Sequence, residues 1–162
     1  MIYILRHGKT DWNKRKKLQG RTDIPLCEEG RIMAQEAAEK YADVNFDVCY
    51  CSPLIRAKET AEIILKGRNV PIYTDDRLME MCFGDYEGIE RSFDIPDCPI
   101  NPLFKDPENY VATNGAESFE ELFLRTGQKK EKKSFYYNVV YVGHRFSAFD
   151  FHHADFAYES AL

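Results

Sequence analysis

The chain has 162 residues, with 22 Lys or Arg against 27 Asp or Glu, and its net charge at pH 7 is −5. This length suits a single domain spanning residues 1–162, and the negative charge argues against nucleic acid or an anionic membrane as the main partner. No apolar run is long enough to cross a bilayer, no leader-like segment opens the chain, and the five cysteines include no Cys-x-x-Cys pair. We therefore expect a cytoplasmic protein with reduced thiols.

Strands and helices alternate along the first half of the chain. Residues 2–5 and 46–51 read as strands, and residues 26–43 between them carry an apolar stripe at helical spacing. A second helix is expected to begin with Ser52 as N-cap and Pro53 as its first residue, and to stop at Gly67. Residues 70–74 form a third strand. This alternation predicts an α/β fold with a mostly parallel sheet.

The second half of the chain is less regular. Residues 75–115 show no clear periodicity, and we interpret them as an irregular insertion that caps the substrate. Residues 117–132 are predicted to be helical, and residues 139–142 form a last buried strand.

The first strand runs directly into Arg6-His7-Gly8, and the last predicted strand runs into Gly143-His144. Ligands of α/β proteins bind at the carboxyl ends of parallel strands, so both histidines are expected at one sheet edge. An imidazole attacks phosphorus only when one ring nitrogen is unprotonated, and a backbone carbonyl usually holds the proton on the other. We predict that His7 attacks and that His144 donates a hydrogen bond to the phosphoryl oxygens.

Three further residues suit a phosphate pocket. Asn13 and Arg21 lie in the polar loop after the first strand, and the Asn13 amide offers two N–H donors. Arg56 lies one turn into the second predicted helix, where a cation opposes the helix dipole unless an anion binds there too. Taken alone, Asn13 reads as a turn residue and Arg56 as a surface arginine.

A carboxylate at position 80 stands among apolar residues in Leu78-Met-Glu-Met-Cys-Phe83. Partial burial would raise its pKa and keep it protonated, which is what a leaving alkoxide requires. Glu87 is the rival acid in the same segment, and we favour Glu80.

Several motifs then occur in order over residues 1–126. They are Arg6-His7-Gly8-Lys9-Thr10, Trp12-Asn13, Leu18-Gln-Gly20, Asp23-Ile-Pro-Leu26, Ser52-Pro-Leu-Ile-Arg-Ala57, Thr60-Ala61 and Phe83-Gly84-x-x-Glu87-Gly88. Together they resemble the phosphoglycerate mutase-like branch of the histidine phosphatase superfamily.

The resemblance implies a three-layer α/β/α sandwich and a phosphohistidine at His7, with no metal and no organic cofactor. It implies a phosphate pocket, a proton donor and a substrate mouth. The residues are Arg6, Asn13, Arg56 and His144 for the pocket, Glu80 for the donor, and Gly20 for the mouth. From its place in the loop that could fold over the pocket, Arg21 is also expected to bind the substrate.

The C-terminal part departs from the family pattern. Family members read His-Gly at the second histidine, whereas this chain reads His144-Arg145. We interpret residues 127–162 as an anomalous, truncated or frame-shifted part and expect the fold to be incomplete at this end. An exposed sheet edge would favour a homodimer.

Three functions fit this sequence. We rank first a phosphomonoester hydrolase that acts on a small phosphorylated metabolite. A phosphoglycerate mutase would use the same intermediate but needs more basic residues after Glu80, where residues 85–109 offer only Arg91 and Lys105. A degenerate member that binds phosphorylated ligands without turnover is the third, because Arg145 replaces a glycine.

Overall fold

The computed structural model describes residues 1–127, 139–144 and 160–161. Its sheet has the strands β1 (Ile2–Arg6), β2 (Val48–Cys51), β3 (Ile72–Thr74), β4 (Val139–Gly143) and β5 (Ser160–Ala161). The strand order is β3-β2-β4-β1-β5, and every pair is parallel. The predicted α/β class and parallel sheet are confirmed.

The helices are α1 (Asp11–Lys14), α2 (Glu28–Lys40), α3 (Ile55–Ile64), α4 (Pro102–Lys105) and α5 (Phe119–Thr126). The predicted start of the second long helix is wrong. Leu54 is the N-cap of α3, and Ser52 lies before the helix. The Ser52 amide donates to the Val142 carbonyl at 3.0 Å, so pairing with β4 still holds it at the end of the sheet. The helix also ends at Ile64, before Gly67.

One face of the sheet packs against α2 and α3. Small side chains on both helices allow this close approach. The buried residues of this face include Leu5, Cys49, Cys51, Val140 and Val142 from the strands and Ala34, Ala37, Ala57, Ala61 and Ile64 from the helices. On the opposite face, Ile2 packs with Leu78, which lies in the 3-10 helix Asp76–Leu78.

The predicted cap, residues 75–115, is built from short turns of helix around a core of its own. It contains α4 and the 3-10 helices Asp76–Leu78, Gly84–Tyr86, Ser92–Asp94 and Pro107–Asn109. Its buried apolar side chains include Met81, Phe83, Tyr86, Ile100 and Leu103. This core is separate from the sheet core, and backbone hydrogen bonds such as those from Asp75 to Cys51 and from Gly88 to Leu18 connect the two parts.

Residues 128–138, 145–159 and 162 lie outside the described residues. The predicted helix over residues 117–132 is therefore described only through α5, and Arg145 and most of the interpretation of residues 127–162 fall outside as well. In the part that is described, every helix is too short or too polar to span a bilayer.

Candidate active site

His7 follows β1 directly and is almost completely buried, with 7% of its surface exposed. Its backbone amide donates to the Gly143 carbonyl at 3.2 Å, which extends the β1–β4 pairing by one residue. Its Nδ1 lies 2.7 Å from the Gly8 carbonyl oxygen. A carbonyl oxygen only accepts, so Nδ1 carries the proton and Nε2 keeps its lone pair. The backbone bond expected from the sequence is present.

His144 follows β4 as His7 follows β1. Because Arg6 pairs with Gly143 in the parallel register, the two histidines lie side by side at the end of the sheet. The two imidazole centroids are 4.9 Å apart, with ring planes inclined by 55°. Burial, and then the charge of Arg56, lowers the pKa of His7 to about 3. The same two causes hold the pKa of His144 well below its ordinary value. Both rings are neutral at physiological pH.

Arg56 lies in the first turn of α3 with 1% of its surface exposed. Its Nη2 donates to the Gly20 carbonyl at 2.6 Å and lies 3.3 Å from His144 Nδ1, while its Nη1 donates to the Thr22 carbonyl at 2.9 Å. Its buried Nε–H has no hydrogen-bond partner within the described residues. Burial lowers the pKa of Arg56 to about 10, so the guanidinium stays charged at neutral pH. A buried donor left unsatisfied beside neutral rings suits an anion.

A cavity of about 130 Å³ opens beside these groups. Most of the predicted site residues line it, together with residues to which the sequence analysis assigned no role. The lining residues are Arg6, His7, Asn13, Lys17, Leu18, Gln19, Gly20, Arg56, Glu80, Phe83 and Phe104. Arg6, His7, Asn13, Gly20, Arg56 and Glu80 are therefore brought together as expected. His144 contacts His7 and Arg56 but is not among the lining residues.

Asn13 is oriented by the helix cap of α1. Its Oδ1 accepts from the Thr10 backbone amide at 3.0 Å, within a capping box. Thr10 is fully buried, and its hydroxyl lies 3.0 Å from Asn13 Oδ1 and 2.9 Å from Gln19 Oε1. Both amide oxygens are thus held by Thr10, which leaves the amide nitrogens as the available donors.

Gln19 is a site residue that the sequence analysis missed. It lines the cavity, and its buried Nε2 has no hydrogen-bond partner in the part of the chain that is described. Its place inside the Leu18-Gln-Gly20 motif is the sequence feature that could have indicated its role.

The two rival carboxylates occupy different environments. Glu80 is 8% exposed and lines the cavity, and its Oε1 accepts from the Met81 amide at 2.9 Å. Glu87 instead accepts from the backbone amides of Arg21, Thr22 and Phe83 at 2.8, 2.6 and 3.0 Å. Since loop amides occupy both Glu87 oxygens, Glu80 is the carboxyl group that reaches the cavity.

The Gly20 backbone has φ +46°, and a Cβ atom there would lie 2.0 Å from a Glu87 carboxylate oxygen. Glycine is therefore required for the loop to approach Glu87. The Arg21 side chain is bound to other residues beside the cavity. Its Nη2 pairs with Glu117 at 2.8 Å, its Nε donates to the Glu80 carbonyl at 3.2 Å, and it is absent from the cavity lining.

In the described ranges, no three His, Cys, Asp or Glu side chains converge as metal ligands would.

The chain is similar in sequence and in structure to known proteins. The family model of the histidine phosphatase superfamily (branch 1) matches residues 2–146. A Bacillus subtilis (strain 168) protein named uncharacterized phosphatase PhoE is 44% identical over 99 residues, which cover 59% of this chain and 51% of that protein. Phosphoglycerate mutase-like protein 4 of Arabidopsis thaliana is 40% identical over 128 residues, covering 76% of this chain and 56% of that protein.

The solved structure of Bacillus stearothermophilus YhfR has a TM-score of 0.80 and 32% identity, covering 90% of this chain and 74% of that one. The chain spans about half the length of the two curated relatives above, 51% and 56%.

Proposed function

Because the chain belongs to the histidine phosphatase superfamily, we propose that it hydrolyses phosphomonoesters of small metabolites through a phosphohistidine at His7. The observation that carries this proposal is the bond between His7 Nδ1 and the Gly8 carbonyl, 2.7 Å long. It leaves the Nε2 lone pair free on a neutral ring at the cavity wall. Arg6, Asn13, Gln19 and Arg56 line the same cavity and supply N–H donors for a phosphate.

In the first step, the His7 Nε2 lone pair forms a bond to phosphorus as the ester P–O bond breaks. The electron pair of that bond goes to the leaving oxygen, which takes the proton of the Glu80 carboxyl group. The products are the alcohol, a phosphohistidine and a Glu80 carboxylate. Negative charge on the equatorial oxygens is stabilised by Arg6 and Arg56 and by the amides of Asn13 and Gln19.

In the second step, the Glu80 carboxylate takes a proton from water, and the water oxygen bonds to phosphorus. The P–N bond breaks and its electron pair returns to His7 Nε2. Inorganic phosphate leaves, and the Glu80 carboxyl group is protonated again. The net reaction consumes one water and yields one alcohol and one phosphate.

A mutase reaction is the second candidate, since one relative is named a phosphoglycerate mutase-like protein. A mutase must hold a sugar acid and exclude water during the life of the intermediate. Leu18, Phe83 and Phe104 make part of the cavity wall apolar. Residues 85–109 contain only two basic residues, fewer than a mutase is expected to need. Arg91 pairs with Asp94, Lys105 lies over the Phe93 ring, and neither lines the cavity. These contacts favour hydrolysis.

Turnover measurements separate the three functions. The wild-type chain is expected to hydrolyse p-nitrophenyl phosphate and to release inorganic phosphate from 3-phosphoglycerate without forming 2-phosphoglycerate. His7→Gln keeps an amide near the Gly8 carbonyl but removes the nucleophile, so it should abolish hydrolysis. Arg15→Ala, which removes an exposed ion pair with Glu90, is the surface control.

Two results would contradict hydrolysis. Conversion of 3-phosphoglycerate to 2-phosphoglycerate would favour the mutase. A folded wild-type chain that binds inorganic phosphate but turns over neither ester would favour the degenerate binding protein.

We extend the proposal to location and partners. The net charge of −5 and the proposed pocket favour small phosphorylated metabolites over nucleic acids or membranes. Burial raises the pKa of Cys49 to about 12 and that of Cys51 to about 11, as expected for inert reduced thiols of a cytoplasmic protein. A homodimer remains part of the proposal and is tested by sedimentation.

A further inference from the structure

We infer that Glu117 is a positioning residue, which holds the proposed proton donor Glu80 at the cavity by pairing with Arg21 and Arg125. The inference rests on the proposed function, because it assigns an effect on proton donation. Glu117 does not line the cavity, so it would act only through other residues.

Glu117 is a buried carboxylate with 8% of its side chain exposed. Its Oε1 accepts from Arg21 Nη2 at 2.8 Å and from Arg125 Nε at 2.6 Å. Its Oε2 accepts from Arg125 Nη2 at 3.1 Å and from the Cys82 amide at 3.2 Å. A carboxylate with this many charge-assisted bonds is held in one orientation.

The same two arginines converge on the backbone beside Glu80. Arg21 Nε donates to the Glu80 carbonyl oxygen at 3.2 Å, and Arg125 Nη2 donates to that oxygen at 3.3 Å. Two guanidinium groups on one carbonyl repel each other, and a negative charge between them offsets this repulsion. Glu117 supplies that charge, so the two arginine bonds to the Glu80 carbonyl depend on it.

Glu117 also holds the other end of the short acid-bearing segment, residues 80–82. Its backbone amide donates to the Cys82 carbonyl at 2.8 Å, while its side chain accepts from the Cys82 amide. Between these two anchors, the Met81 amide donates to Glu80 Oε1 at 2.9 Å. The position of the Glu80 carboxyl group is therefore set by a segment that is fixed at both ends.

Such a role predicts a loss of rate that depends on the leaving group. An alkoxide must be protonated as it departs, whereas p-nitrophenolate is a weak base that leaves without a proton. A misplaced acid therefore slows hydrolysis of an alkyl phosphate more than hydrolysis of p-nitrophenyl phosphate. A purely structural role would slow both esters equally.

The test variant is Glu117→Gln, which keeps the size of the side chain but removes its charge and one acceptor oxygen. We expect kcat/KM, which reports phosphoryl transfer to His7 and not the later attack of water, to fall by roughly 10- to 100-fold for glycerol 2-phosphate and by less than about threefold for p-nitrophenyl phosphate. Arg21 is one of the two arginines that donate to Glu117, and one third of its side chain is exposed. Arg21→Gln removes its charge and should give a smaller loss of the same kind. Glu90→Gln, which breaks an exposed pair with Arg15, is the matched control and should lower neither rate.

Hydrogen exchange provides a readout that does not require turnover. In Glu117→Gln the Cys82 amide loses its charged acceptor, and we expect its exchange to accelerate by roughly tenfold or more in the folded protein. Glu90→Gln should leave this amide unchanged.

Equal rate losses on the two esters, or an unchanged exchange rate at Cys82, would overturn the inference. If the wild-type chain hydrolysed neither ester, the proposed function would be wrong. The exchange rate at Cys82 would then still decide whether Glu117 holds the segment.

Discussion

Two regions that surround the cavity are built by different means. The phosphate floor, which we define as Arg6, His7, Arg56 and His144, lies at the ends of β1 and β4 and at the start of α3. The acid wall, which we define as residues 76–87 with Glu117, consists of 3-10 turns and loops. The floor is fixed by the parallel backbone ladder, in which Arg6 pairs with Gly143. The wall is fixed by the carboxylates of Glu87 and Glu117, which accept bonds from backbone amides and guanidinium groups.

The two regions should therefore respond differently to substitution of a side chain. Backbone pairing does not depend on one side chain, so substitutions of Arg6, His7 and His144 should change chemistry more than architecture. In the wall a single carboxylate satisfies several donors, so its loss leaves buried groups unpaired.

The largest expected effect is in the floor, at Arg56. Arg56→Met should lower kcat by roughly 100- to 1,000-fold, because the donor that we propose for the phosphoryl oxygens is lost. Arg68→Met is the matched control, since Arg68 donates to the carbonyls of Tyr41 and Val44, remote from the cavity. Steady-state kinetics with p-nitrophenyl phosphate measures both variants. Equal losses in the two variants would mean that Arg56 acts through the fold.

The next effect concerns acid stability and the buried state of His7. The unfolded chain binds a proton at His7 near the ordinary pKa of 6.5, whereas burial lowers the folded value to about 3. The unfolded state therefore binds more protons between these values, and the free energy of unfolding falls as the pH drops below 6.5. From pH 7 to pH 5, His7 alone accounts for a loss of about 2 kcal/mol.

Urea unfolding in a phosphate-free buffer checks this linkage. His7→Gln has no titrating ring, so its free energy of unfolding should fall by about 2 kcal/mol less than that of the wild type between pH 7 and pH 5. The same decrease in both proteins would show that His7 is protonated normally in the folded state.

How far the sequence predicted the molecule depends on the same contrast. Arg6, His7 and His144 were predictable because each is adjacent in sequence to a strand end, and parallel strands bring such ends together. Arg56 was predictable from its place at the start of a helix. The N-cap prediction at Ser52 was wrong because Ser52 still pairs with Val142 at the end of the sheet and the helix begins only at Ile55, a boundary that local sequence does not reveal.

The acid wall was less accessible to sequence reasoning. Glu80 was found because it is a charged residue in an apolar run. Glu117 was missed because its partner Arg21 lies 96 residues away in the chain, and no local period links them. The placement of Arg21 at the substrate mouth stays a prediction, and its side chain is engaged with Glu117 instead.

The smallest effect is expected at Gly20, which accepts a hydrogen bond from Arg56 of the floor and lies against Glu87 of the wall. Gly20→Ala places a methyl group against Glu87 in a left-handed backbone, whereas Gly67→Ala meets the same kind of backbone with no atom within 4 Å. We expect Gly20→Ala to lower the free energy of unfolding by about 1 kcal/mol more than Gly67→Ala does. Equal losses in thermal unfolding would show that the Gly20 loop does not require its close approach to Glu87.

The covalent intermediate is the most direct test of the central claim. The wild-type chain is mixed with p-nitrophenyl phosphate, quenched in alkali within the first turnover and digested for mass spectrometry. We predict an alkali-stable, acid-labile phosphate on the peptide that contains His7, and none in His7→Gln. Full turnover with no phosphate on this peptide, or with phosphate on another residue, would contradict the account.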